Sequence, residues 1–281
     1  MSLTATVTAR RTSATIKVRQ NISQMSPGEI DRFRAALTTM LGRRDDRGFQ
    51  FFAGWHGVPF GICQHHVPLF LPWHRGYLYH FELALQDIDP AVTLPWWDWL
   101  TEPGVPAAYG DETVGGKPNV LFSMPIEPFG VAPDPDWPTQ TSRDPGSSEP
   151  GQPAPIPPPL NGFEPEPDTN CEAWVTTAPS YTELTRRLEA LHDNVHGWCG
   201  GTMRDISWAA YDPLFWAHHA MVDRLWRIWQ HTHPGAGPPD ALIDACMTFA
   251  KPPGMSPRSL SKVQDLGYEY AGFVSVAGGT D

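Results

Sequence analysis

Residues 55–75 read WHGVPFGICQHHVPLFLPWHR, four histidines (His56, His65, His66 and His74) set among prolines and large apolar side chains. A buried imidazole is ordinarily tolerated singly, with its ring nitrogens hydrogen-bonded, so four in one apolar stretch point to metal ligation. A second concentration lies far along the chain. His192 and His196 are four apart in LEALHDNVH, which stacks them on one face of a helix, and His218 and His219 follow in DPLFWAHHAMVDRLW. That last pair lies amid Phe215, Trp216, Met221 and Leu225, where unpaired imidazoles are costly to bury. Two three-histidine sets result: His56 and His74 with His65 or His66, and His192 and His196 with a third from the 218–219 pair.

Imidazole-only sets discriminate between metals. Carboxylate ligands suit magnesium, calcium, manganese or non-haem iron, whereas imidazole suits copper and zinc, and zinc more usually takes a carboxylate or thiolate as well. Glu189-Ala190-Leu191-His192 has the ExxH spacing of di-iron bundles, but a second copy and two further glutamates on neighbouring helices are not found.

Working outward, SPGEIDRFRAALTTMLG (26–42) opens with serine, proline and then Glu29, a capping box that predicts a first helix. HRGYLYHFELALQDID (74–89) predicts a second, with Leu78, Phe81, Leu85 and Ile88 on one face. SYTELTRRLEALHDNVHGW (180–198) carries another box, Ser180 with Glu183, and stops at Gly200-Gly201. YDPLFWAHHAMVDRLWRIWQ (211–230) has Asp212 as N-cap and Pro213 in the first turn. Between the halves, residues 128–167 hold thirteen prolines in forty positions, a composition that predicts a surface loop over 128–170 rather than a helix or sheet interior. The expected fold is mainly α, an antiparallel four-helix bundle with long irregular loops, in one domain over 1–281.

Composition narrows the partners. A formal charge of -11 over 281 residues leaves no basic surface for nucleic acid or an anionic membrane, so a small neutral or cationic ligand is expected. No apolar run follows the N-terminal arginines, which predicts a cytoplasmic protein, or one exported only with a partner. Four irregularly spaced cysteines do not form a disulfide framework.

WHGVP at 55, CQHHVPLFLPWHR at 63, LPWWDW at 94, LEALHDNVH at 188, DPLFWAHHAMVDRLW at 212 and GYEY at 267 together resemble the type 3 copper proteins of the tyrosinase and catechol oxidase family. The resemblance implies a helical bundle holding two copper ions, with dioxygen as co-substrate and a small phenolic compound oxidised to an ortho-quinone. It implies His56, His65 and His74 as ligands of one copper and His192, His196 and His219 as ligands of the other, leaving His66 and His218 outside. Asp223, one turn beyond His219, is then expected to orient its ring, with Phe215 beside it, and His218 to point about 100° away. Glu189 is implied as the residue that holds a water to deprotonate the phenol, since Glu183 is explained by its capping box. The family's tyrosinases commonly carry asparagine where this chain has Asp193, which bears on monophenol hydroxylation. Cys63, two residues before His65, matches members in which cysteine and histidine are joined by a thioether. Arg19 and GYEY match terminal segments that meet with the guanidinium on tyrosine rings. A separate copper-delivery (caddie) protein is a further implied partner. An ortho-aminophenol oxidase, a strict catechol oxidase and a haemocyanin-like oxygen carrier are the competing activities.

Overall fold

The computed structural model describes residues 16–102, 104–146, 170–245, 247 and 255–273. In chain order the elements are β1 (Lys17–Arg19), α1 (Pro27–Leu41), α2 (Phe49–His56), α3 (Phe70–Gln86), α4 (Ala107–Gly110), β2 (Thr113–Val114), β3 (Lys117–Pro118), α5 (Cys171–Thr176), α6 (Tyr181–Cys199), α7 (Pro213–Thr232) and β4 (Tyr268–Tyr270). The fold is mainly helical. Its centre is an antiparallel bundle of α2, α3, α6 and α7, the four helices that carry histidines at the centre described below.

Local chemistry sets most of these boundaries. The Ser26 box that opens α1 is complete, with Glu29 N–H donating to Ser26 Oγ and the Glu29 carboxylate accepting from Ser26 N–H. Only half of the second box forms. Ser180 Oγ accepts from Glu183 N–H, but the Glu183 carboxylate turns to Arg186 and Arg187, which hold its pKa down to about 2. Asp212 caps α7 through Leu214 N–H and also takes a two-pronged grip from Arg143, so the first stretch of the proline-rich loop is fastened to the start of α7. Of that loop, 147–169 lie outside the described residues.

Two helices of the bundle differ from the sequence expectation, and the short α4 and α5 lie outside it. α3 begins at Phe70, four residues before the predicted start, because Pro72 sits in the first turn, where a missing N–H removes no intrahelical bond. α2, eight residues reading FQFFAGWH and buried throughout, was not expected; His56 ends this helix instead of opening a loop.

α3 is wrapped on nearly every side, and its polar groups are satisfied by a buried charge network. Arg19, at the end of β1, bonds Glu82 of α3 and Asp223 of α7, and its guanidinium lies 3.6 Å over the Tyr268 ring. Arg75 of α3 bonds Asp223 and stacks on Trp226 at 3.5 Å. β1 pairs in parallel with β4, Lys17 opposite Tyr268 and Arg19 opposite Tyr270, so both terminal segments close over the α3–α7 contact. The aromatic core below includes Phe81 stacked on Trp216 at 3.4 Å. Among the described residues no helix is long and apolar enough to cross a membrane.

Candidate metal centre

Each helix of the bundle turns imidazoles inward, and for three of them the backbone fixes which nitrogen is free. His56 Nδ1 faces the Ile206 carbonyl at 3.2 Å, His74 Nδ1 the Phe70 carbonyl at 2.8 Å, and His196 Nδ1 the Met203 carbonyl at 2.7 Å. A carbonyl only accepts, so each Nδ1 carries the proton and each Nε2 keeps its lone pair. His192 is held differently, with Nδ1 3.0 Å from Asp193 Oδ1. The backbone at Gly57 protects the first of these arrangements. A Cβ there would stand 2.1 Å from the Ser207 carbonyl oxygen, next to the Ile206 carbonyl that orients His56.

The freed nitrogens converge. His219 Nε2 lies 3.2 Å from His192 Nε2 and 3.4 Å from His196 Nε2. Two imidazoles on one ion, each at about 2.0–2.1 Å and tetrahedrally disposed, are about 3.3 Å apart. His56 Nε2 and His74 Nε2 are buried without a partner among the described residues, and the His74 ring stacks on His219 at 4.5 Å. His65, on the half-buried loop after α2, brings its ring within 5.1 Å of both His56 and His74. The ligand atoms fall into three overlapping groups: His192, His196, His218 and His219; His56, His74 and His219; and His56, Cys63 and His65. Phe215 stands between them, 4.2 Å from His219 and 4.8 Å from His56.

Burial keeps the rings neutral. Desolvation first, and neighbouring histidines second, hold His56, His74, His192 and His219 well below the usual imidazole range. Burial likewise brings His65 and His196 down to about 4. At neutral pH these imidazole lone pairs are therefore available to a metal, and donors that are all imidazole apart from the Cys63 sulfur beside His56 and His65 fit copper.

The carboxylates lie on the loop side. Glu189 is 5 % exposed, and its Oε1 accepts from His66 N–H at 2.6 Å. Burial raises its pKa to about 7 against the opposing pull of that N–H. His66 adopts the left-handed backbone (φ 57), turning its N–H inward while its ring faces solvent. Asp193 is also raised by burial.

Two expectations are corrected. Asp223 does not touch His219: Oδ1 is taken by Arg75 and Oδ2 by Arg19, Tyr268 and Tyr270, while His219 Nδ1 has no partner among the described residues. His218 does not point away from the centre. It is fully buried, stacked on His192 at 5.1 Å, because the direction away from His219 on α7 leads toward α6.

A family model described as the common central domain of tyrosinase matches residues 46–232. The tyrosinase of Streptomyces glaucescens is 33% identical over 243 residues, covering 78% of this chain and 85% of that one. Haemocyanin units G and H of Sepia officinalis are 26% identical, covering 90% of this chain and 46% of theirs. A copper-bound active tyrosinase variant from Aspergillus oryzae superposes with a TM-score of 0.75 at 20% identity, covering 93% of this chain and 94% of that one.

Proposed function

Because the chain belongs to the tyrosinase family of type 3 copper proteins, we propose that it is a dicopper oxidase that converts phenols and catechols to ortho-quinones with dioxygen. The observation that carries this reading is the convergence of neutral Nε2 atoms from four helices. On this reading His56, His65 and His74 hold one copper and His192, His196 and His219 hold the other; it is supported by the close approach of His219 to His192 and His196, and by His56 grouping with His65 on one side and with His74 and His219 on the other. The copper pair, when bound, supplies the binding and reduction of dioxygen.

The remaining work falls to this chain's own side chains. A phenol with pKa near 10 needs a base to ionise at neutral pH. Glu189, raised to about 7, is matched to accept that proton directly or through one water. Its bond to His66 N–H fixes the carboxylate beside the loop that carries His65. Phe215 packs between the two histidine sets and keeps their floor apolar. Glu189 and Asp193 make the approach acidic, which favours neutral and cationic phenols over anionic ones.

Dioxygen consumption with a simple monophenol, tyrosine, catechol and 2-aminophenol tests the reading. Catechol should be oxidised to its quinone, two catechols and two waters per dioxygen, and the activity should vanish on copper chelation. Reversible dioxygen binding with no catechol turnover would make the protein a carrier. Turnover of 2-aminophenol alone would move it to aminophenol oxidation.

A further inference from the structure

His218 has no role in that scheme, yet it is built into the centre. Its side chain is fully buried, and neither ring nitrogen has a hydrogen-bond partner among the described residues. The ring stacks on His192 at 5.1 Å and 19°, stands edge-on to His196 at 4.7 Å, and meets Trp99 at 5.8 Å. An imidazole with two open polar atoms is costly in such a place, and the cost is offset when its lone pair meets a metal.

The nitrogen positions say when that happens. His192, His196, His218 and His219 each offer an atom within 4.8 Å of the others, four donors where a three-imidazole site needs three. The surplus has a counterpart, because His219 is also within that distance of His56 and His74. His219 is thus common to both sets, whereas His218 belongs to the inner one alone. The sets overlap again at His56, which groups with Cys63 and His65 on the half-buried loop. A continuous row of donors runs from the loop inward to His218.

Building on the dicopper reading above, we propose that His218 is a ligand of the inner copper in the singly loaded protein. It holds that ion with His192 and His196, while His219, which lies within reach of both sets, sides with His56 and His74. When a second ion is bound, His219 takes the place of His218. One copper–nitrogen bond breaks and one forms, both partners are neutral imidazoles, and no electron or proton moves. Imidazole donors suit copper, and exchanging one neutral imidazole for another leaves the ligand type and charge unchanged.

Cuprous ion is diamagnetic, so ring 15N shifts of histidine-labelled protein report which imidazoles are ligated. Apo-protein would be titrated anaerobically with cuprous ion from a bicinchoninate buffer, the His218 signal being identified by its absence in His218→Phe. At one equivalent the His218 signal should shift together with those of His192 and His196. At two equivalents it should return toward its apo position while His219 remains ligated. His218→Phe, which keeps a flat ring without a lone pair, should still reach two coppers but bind the first about tenfold or more weakly. If that variant does not fold, His218→Gln supplies the assignment and the wild-type titration decides. A His218 signal unmoved at one equivalent overturns the proposal. A final stoichiometry other than two instead overturns the dicopper reading on which it rests.

Discussion

Asp223→Ala removes the carboxylate at the meeting point of α3, α7 and the terminal strands. Asp223 is 3 % exposed and accepts from Arg75 Nε at 2.5 Å, Arg19 Nη1 at 3.2 Å, Tyr268 Oη at 2.7 Å and Tyr270 Oη at 2.6 Å. With Glu82 it balances two fully buried guanidinium groups, so its loss leaves one buried positive charge uncompensated. Breaking a buried pair from one side costs about 3–5 kcal/mol. For a chain of 281 residues that lowers Tm by roughly 5–9 °C. The assay is thermal melting of the apo-protein at pH 7, with Asp244→Ala as control. Asp244 pairs with Arg258 at the surface, both largely exposed, and its removal should leave Tm unchanged. The pH dependence has a definite sign. Burial pushes the Asp223 carboxyl up, but Arg75, Arg19 and the two tyrosine hydroxyls overcome it and hold it below its ordinary value. A depressed folded pKa gives stability that is present above about pH 4 and lost as pH falls through the folded value. The wild type should therefore lose an increment in acid that Asp223→Ala has already lost. A fall of less than about 1 kcal/mol at pH 7, or identical acid profiles, would refute the network as a source of stability.

Glu189→Gln keeps an oxygen for His66 N–H but not the basic carboxylate, so monophenol kcat/KM should fall about 10²–10⁴-fold while catechol changes far less. Equal losses would make the residue structural. Asp193→Asn should raise the ratio of monophenol to catechol turnover, and an unchanged ratio would remove Asp193 from substrate handling. Gly57→Ala pushes on the Ser207 carbonyl from 2.1 Å, so about 1–3 kcal/mol of overpacking and reduced copper occupancy at the His56 site are expected; full metal content in the variant would contradict the link through Ile206. Copper-loaded protein exposed to dioxygen should lose two hydrogens in intact mass as Cys63 and His65 join, and reductant should not restore them; an alkylatable Cys63 in active enzyme would leave that residue as packing.

Three of the four bundle helices are legible in the sequence, α3 from its apolar face and α6 and α7 from N-terminal caps, because these signals are local. α2 carries no signal of either kind. FQFFAGWH is apolar all round, too short for a period to show, and capped by Gly48 without a side-chain bond, so neither pattern nor punctuation marks it. α3 was begun late because Pro72 reads as a breaker until its place in the first turn is known. The errors at the site are of another kind. Helical geometry correctly puts Asp223 one turn from His219, but partners distant in sequence, Arg19 and Arg75, claim its oxygens. The same geometry turns His218 away from His219, yet in a bundle the direction away from one neighbour faces another. Spacing within a helix fixes which residues share a face; which of them meet is decided by helices the spacing does not describe.

The centre also divides into stiff and soft parts, with consequences for how the chemistry is placed. Five of the six proposed ligands stand on helices, and three of these are oriented through Nδ1 by backbone carbonyls that move only with the main chain. His65 alone sits on irregular chain, half-buried, between Gly57 and the start of α3. Two bonds tie that loop to α6: His66 N–H to Glu189, and Tyr181 Oη to the Pro68 carbonyl at 2.8 Å. In the proposed mechanism Glu189 joins two tasks in one side chain, since the oxygen that anchors the loop beside His65 belongs to the carboxylate that would accept the phenol's proton. On the proposed mechanism, proton acceptance and the position of the least rigid ligand are coupled through a 2.6 Å bond, and the loop also meets the inner set where the His65 ring stacks on His192 at 5.8 Å. If Glu189 serves the phenol as proposed, a substrate that draws on it acts first on the His65 side of the centre.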